Sequence, residues 1–170
     1  MNRWRRPLSQ VALAASRLLI ITGAWFDEIL RMRWDEVDPE SGVMRLKDSM
    51  TGAKVIFLNK PAVEVLEALP RMLDNPYVIA GDKEGTNLVN PEKPWDAIRE
   101  KAKIQGVDIH DLRHTFASYA IQGGMNLEML GALLGHNQTS TTRRYAHLDS
   151  RQHRENSEIT GKAINSILKR

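Results

Sequence analysis

The sequence predicts a mainly helical domain carrying a small antiparallel β-sheet, an α+β fold. Three observations lead there. Apolar residues recur at helical spacing from Leu8 to Leu19 and again from Ile159 to Ile167. Two β-prone runs, Val43-Met-Arg-Leu and Lys54-Val-Ile-Phe-Leu, flank a turn signal centred on Gly52. The second half is punctuated by helix stops such as Gly123-Gly124 and Leu134-Gly135.

The first helix carries Leu8, Val11, Ala12, Ala15, Leu18 and Leu19 on one face, with Ser9 near its cap. Its basic lead, Arg3 to Arg6, imitates a secretory signal, but Arg17 interrupts the apolar run. Thr22-Gly23 breaks this helix, and a second runs from about Trp25 to Met32. The two β-prone runs form a hairpin. A three-residue turn over Thr51-Gly52-Ala53 sets Met50 opposite Lys54, with both side chains on one face, whereas a two-residue turn pairs Met50 with Ala53. Pro61 opens a helix to about Leu73, and Tyr77-Val-Ile-Ala reads as a third short strand. Asn90-Pro91 caps a helix through Trp95, Ile98 and Ala102. Residues 108–121 are helical, Asn126 caps the next helix, and 139–147 and 155–168 supply the last two.

The chain has 170 residues and no cysteine. That length suits one domain with a real core. The lack of thiols excludes disulfides, thiolate metal sites and a cysteine nucleophile, and it fits a cytoplasmic protein. The net charge is only +3, but its distribution is uneven. Arg3, Arg5, Arg6 and Arg17 precede the first acid, Asp27, and Arg143, Arg144, Arg151 and Arg154 form a second basic run. Such patches suit a phosphate backbone, although solvated surface explains them equally well on charge alone. No stretch is long enough to be a membrane span, so no membrane partner is expected.

The chemistry concentrates between His110 and Tyr145. In His110-Asp-Leu-Arg113-His114 the two histidines and the arginine recur at i, i+3 and i+4, one face of a helix. An arginine fork can hold two phosphate oxygens, and a neighbouring histidine can move a proton. His110 and His114 imitate a zinc-binding helix, but the general-base glutamate is missing and no third ligand follows from spacing, so no metal is expected. Leu134-Gly135-His136 adds a histidine past a helix end. Tyr145 follows Arg143 and Arg144, cations that favour its phenolate. Each segment alone also reads as ordinary surface.

In combination they are specific. His110-Asp-Leu-Arg-His, then Leu134-Gly-His, then Arg144-Tyr-Ala-His closely resemble the catalytic domain of the tyrosine recombinases, or phage integrases. The resemblance extends from about Ser9 to Leu148 and includes Thr22-Gly23, Glu28-Ile-Leu, Arg33-Trp-Asp, the Thr51-Gly52 hairpin and Pro94-Trp95. It implies that Tyr145 attacks a phosphate of double-stranded DNA to form a 3′-phosphotyrosine link. It makes Arg113 the phosphate clamp, lets His110 and His136 donate hydrogen bonds and assist proton transfer, and sets His114 behind them in support. Arg143 and Arg144 would bind DNA. No metal or cofactor is implied. A single catalytic domain over 1–170 is expected, with the family's N-terminal clamp domain absent, and the helix after Tyr145 could mediate self-association on DNA.

Two positions depart from the family pattern. Trp25 stands where the family has its first arginine, in Thr22-Gly-Ala-Trp-Phe-Asp-Glu28, and Met50 stands where it has the hairpin lysine. Both remove a cation from a site that stabilises a phosphoryl-transfer transition state. The expectation is a prophage-type integrase of impaired activity. The alternative is a non-catalytic DNA-binding remnant, and a third reading is a helical interaction protein without DNA function. Lys54, across the hairpin from Met50, is the candidate substitute cation. Packing of Trp25 against the core is the plain account of that residue.

Overall fold

The computed structural model describes residues 8–47 and 53–135, together with Thr142 and Tyr145. The chain divides into two compact units, 1–116 and 117–170.

In the first unit, α1 spans Leu8–Thr22. Its 3.6-residue repeat turns Val11, Ala12, Ala15, Leu18 and Leu19 inward, where all are buried, and leaves Leu13, Arg17 and Ile20 outward. Each fully buried leucine contributes about 1.5–3 kcal/mol. The helix stops at Gly23, whose φ of +66° only glycine adopts freely, with its N–H donating to the Leu19 carbonyl at 2.9 Å. Helix α2 (Phe26–Arg31) follows and buries Glu28, Ile29 and Leu30. A 3₁₀ turn at Trp34–Glu36 leads into β1 (Val37–Asp38), β2 (Val43–Leu46) and β3 (Lys54–Phe57). These make an antiparallel sheet in the order β1-β2-β3.

The β2–β3 register pairs Val43 with Phe57 and Leu46 with Lys54. The hairpin is therefore as expected in its strands, while residues 48–52 of its turn lie outside the described residues. Lys54 lies opposite Leu46, not Met50. The anticipated Met50–Lys54 pairing is not the one found, because Leu46 takes the place opposite Lys54.

Helix α3 (Lys60–Glu67) is capped by Asn59, whose side chain accepts from the Ala62 N–H at 3.1 Å. It ends before Leu73 because Pro70 disfavours helical geometry at Leu69 and offers no N–H to the turn. Helix α4 (Glu92–Ala102) buries Trp95, and both α3 and α4 pack against α1. The third strand is β1, not Tyr77-Val-Ile-Ala. That run is buried at Val78 and Ile79, but its backbone bonds go singly to Met32 and Leu88, so it joins no ladder.

Helix α5 (Asp111–Gln122) starts later than the sequence suggested. Asp108 draws the chain into a turn by accepting the His110 N–H at 2.9 Å, while Asp111 reaches back to the Asp108 N–H at 2.8 Å. In the second unit, α6 (Leu127–Leu134) is capped by Asn126, which accepts the Met129 N–H at 2.8 Å, and closes on Gly135 at φ +69°. Among the described residues of this unit, Ala117, Ile121, Leu130 and Leu134 are fully buried. No helix among the described residues is long and apolar enough to cross a membrane.

Candidate active site

The turn between α1 and α2 is the starting point. Gly23 frees the backbone there, and Trp25 then serves as the N-cap residue of α2 in extended geometry. Glu28, one turn on, reaches back to accept the Trp25 N–H at 2.8 Å, the reach of a capping-box acid. The same carboxylate pairs with Lys54 of β3, its oxygens 2.9 and 3.1 Å from Nζ. Both side chains are nearly buried, Lys54 at 10% exposure and Glu28 at 7%. The pair therefore ties the hairpin to the start of α2.

Arg113 arrives from α5. It is buried, and it meets the same turn. One guanidinium nitrogen donates to the Gly23 carbonyl, and Cζ lies 4.1 Å from the centre of the Trp25 ring. This is cation–π geometry. Trp25 is not a core residue: it is 39% exposed, whereas Trp95 is buried. The account of Trp25 as core packing is therefore wrong. Arg113 and Trp25, far apart in sequence, are in direct contact.

His110 precedes the first turn of α5. Its ring Nδ1 lies 3.1 Å from Asp108 Oδ1, and its ring centroid is 6.3 Å from that of Phe26. The His110 backbone N–H, and then its ring, hold the Asp108 carboxyl below its ordinary pKa. Asp108 is the residue that motif reading missed. An acid two places before a histidine is a common turn-former, and that was the available signal. His114 sits half-buried on α5.

In the second unit Tyr145 is buried at 6% exposure, as is Thr142 at 3%. Helix α6 runs close by: a Cβ on Gly131 would lie 3.1 Å from the Thr142 hydroxyl oxygen. Met50, His136, Arg143, Arg144 and the segment after Tyr145 lie outside the described residues. Among the described residues no three His, Asp or Glu side chains are grouped to hold a metal ion.

The model of the phage integrase family matches residues 1–152. The chain belongs to the phage integrase family. Tyrosine recombinase XerD of Mycobacterium leprae (strain TN) is 26% identical over 155 residues, which cover 82% of this chain and 48% of that protein. Tyrosine recombinase XerA of Saccharolobus solfataricus is 29% identical over 137 residues, covering 78% and 44%. The chain thus spans about half the length of the curated relatives it matches. Among solved structures, XerH recombinase bound to its difH substrate superposes with a TM-score of 0.71 at 21% identity, over 91% of this chain and 48% of that one. The catalytic domain of bacteriophage HP1 integrase gives 0.59 at 24% identity, over 79% and 73%. The fold of this integrase chain is therefore that of the family's catalytic domains.

Proposed function

We propose that this chain is the catalytic part of a tyrosine recombinase acting on double-stranded DNA, and that its chemistry is slowed by Trp25 and Met50. The observation that carries this reading is the contact between Arg113 and Trp25. Two positions that the family devotes to cations converge, which supports a retained phosphate site. One of them now presents an indole face instead of a second guanidinium.

In the proposed reaction the Tyr145 phenolic oxygen attacks the scissile phosphorus. The bond to the 5′ oxygen breaks, that oxygen leaves with a proton, and the protein keeps a 3′-phosphotyrosine. Arg113 supplies charge to the non-bridging oxygens, and His110 and His136 hydrogen-bond them and handle protons. His114 supports the pair from α5. Arg143 and Arg144 contact neighbouring DNA phosphates, so binding should weaken steeply with salt. Lys54 is engaged by Glu28 and would have to leave that carboxylate to serve as the missing cation. Self-association on DNA would fall to the apolar stripe of 159–167.

A positioned arginine is worth about 10³–10⁵ in rate in other phosphoryl-transfer sites, and a general acid about 10²–10⁴. The test is a nicked suicide substrate on which the covalent adduct accumulates. Trp25→Arg with Met50→Lys should raise adduct formation by orders of magnitude, with each single change recovering part, since residues acting on one transition state are not additive. Tyr145→Phe should form none in any background. Efficient adduct formation by the natural sequence would refute the impairment. A double revertant that binds DNA normally yet stays inert would favour the second reading, a DNA-binding protein without chemistry, which the Trp25 replacement also supports.

A further inference from the structure

We propose that Trp25 is a stacking platform for an unpaired nucleobase, so that the altered site grips single-stranded or frayed DNA in addition to duplex. The inference rests on the DNA-directed reading above and names a substrate class for the same site.

Three observations converge on it. The Trp25 indole is 39% exposed although it lies at the junction of two helices. Arg113 covers one face of the ring at 4.1 Å, so the accessible area belongs to the opposite face and the rim. Next in sequence, Phe26 stands 6.3 Å from the His110 ring, whose side chain is 60% exposed. A cation behind an indole and open π-surface in front is the combination that non-specific single-strand binders use: charge attracts the backbone, and rings receive the bases.

The chemistry selects the occupant. Every base has a π-face, but inside a duplex both faces are covered by neighbouring pairs. Only a base that is unpaired, at a strand end or turned out of the helix can lie on Trp25. An arginine at this position would attract a phosphate in any strand. A tryptophan can discriminate, because it rewards a base that has left its pair.

The full chain is titrated against three labelled probes at low salt: oligothymidine, an abasic strand of the same length, and a duplex. Natural protein should bind oligothymidine more tightly than the abasic strand by roughly ten-fold, the scale of one base stack. Trp25→Ala should erase that difference, Trp25→Phe should keep most of it, and both should change duplex binding less than about two-fold. Base stacking should also quench tryptophan fluorescence, and Trp25→Phe should lose most of that quenching, a readout that holds even if Trp25→Ala folds poorly. Equal affinity of the natural protein for oligothymidine and the abasic strand would overturn the proposal. So would an equal loss on all three probes in Trp25→Ala. Absence of binding to any probe would instead defeat the DNA-directed reading on which the proposal stands.

Discussion

Two cations approach the first turn of α2, and the fold treats them differently. Lys54, from β3, is matched by the Glu28 carboxylate at 2.9 Å with both side chains nearly buried. Arg113, from α5, stacks on the Trp25 ring and donates to the Gly23 carbonyl. A carboxylate cancels its partner's charge. An indole face and a carbonyl attract a cation without cancelling it. The contrast separates a cation matched by a carboxylate from one set on a ring and a carbonyl, and charge counting in the sequence cannot make that distinction.

The contrast breaks most visibly in the chemistry. In the background of Trp25→Arg with Met50→Lys, Arg113→Ala should lower adduct formation by about 10³–10⁵, as for other positioned arginines in phosphoryl transfer. Removing the other cation together with its partner, Lys54→Met with Glu28→Gln, should leave the rate per folded molecule within about ten-fold, because no phosphate interaction is lost with it. Single-turnover assays on the suicide substrate compare the two. If the paired replacement stops the reaction as Arg113→Ala does, Lys54 serves the phosphate and the two cations are equivalent.

The next effect is on stability, and its order is reversed. Lys54→Met alone strands the Glu28 carboxylate in a nearly buried position, which typically costs about 3–5 kcal/mol. Glu28→Gln should also be costly, since the single amide oxygen can keep the bonds made at Oε2 but the amide nitrogen then faces Lys54 Nζ where Oε1 accepted. The double replacement should recover much of the Lys54→Met loss, because an apolar substitute for a buried pair is often neutral. Urea midpoints measured at constant slope would sharpen this. Additive losses would mean that the pair is not coupled, whatever its geometry.

Much of the fold could be read from the sequence because its signals are local. The stripe of α1, the Asn126 cap and the β-prone runs each act within a few residues. What was misread needed distant partners. Val78 and Ile79 look like a strand but are extended only because Met32 and Leu88 take their backbone bonds one at a time. Lys54 looked like a partner for Met50 because turn chemistry predicts short loops, and only the Leu46 register shows otherwise. The contact between Trp25 and Arg113 has no local signal, and only the family resemblance foretold it. That the indole remains open to solvent had no signal of any kind.

The smallest effect concerns Asp108 and His110, whose side chains are 70% and 60% exposed. The His110 N–H and then the His110 ring hold the Asp108 carboxyl below its ordinary pKa. A depressed carboxylate pKa stabilises the fold above the unfolded value, and the contribution fades as pH falls through the folded value. Because the pair is exposed, that contribution is slight, so the measurement is the titration itself rather than the melting curve. Carboxyl carbon shifts should place the Asp108 midpoint below the usual carboxylate near 3.9. His110→Ala removes the ring and keeps the backbone N–H, so the midpoint should return only part of the way. Full return would mean that the ring does all the work, and no movement that it does none. In the latter case the Asp108 carboxylate could not be credited with setting the His110 ring beside Phe26, next in sequence to the Trp25 that stacks on Arg113.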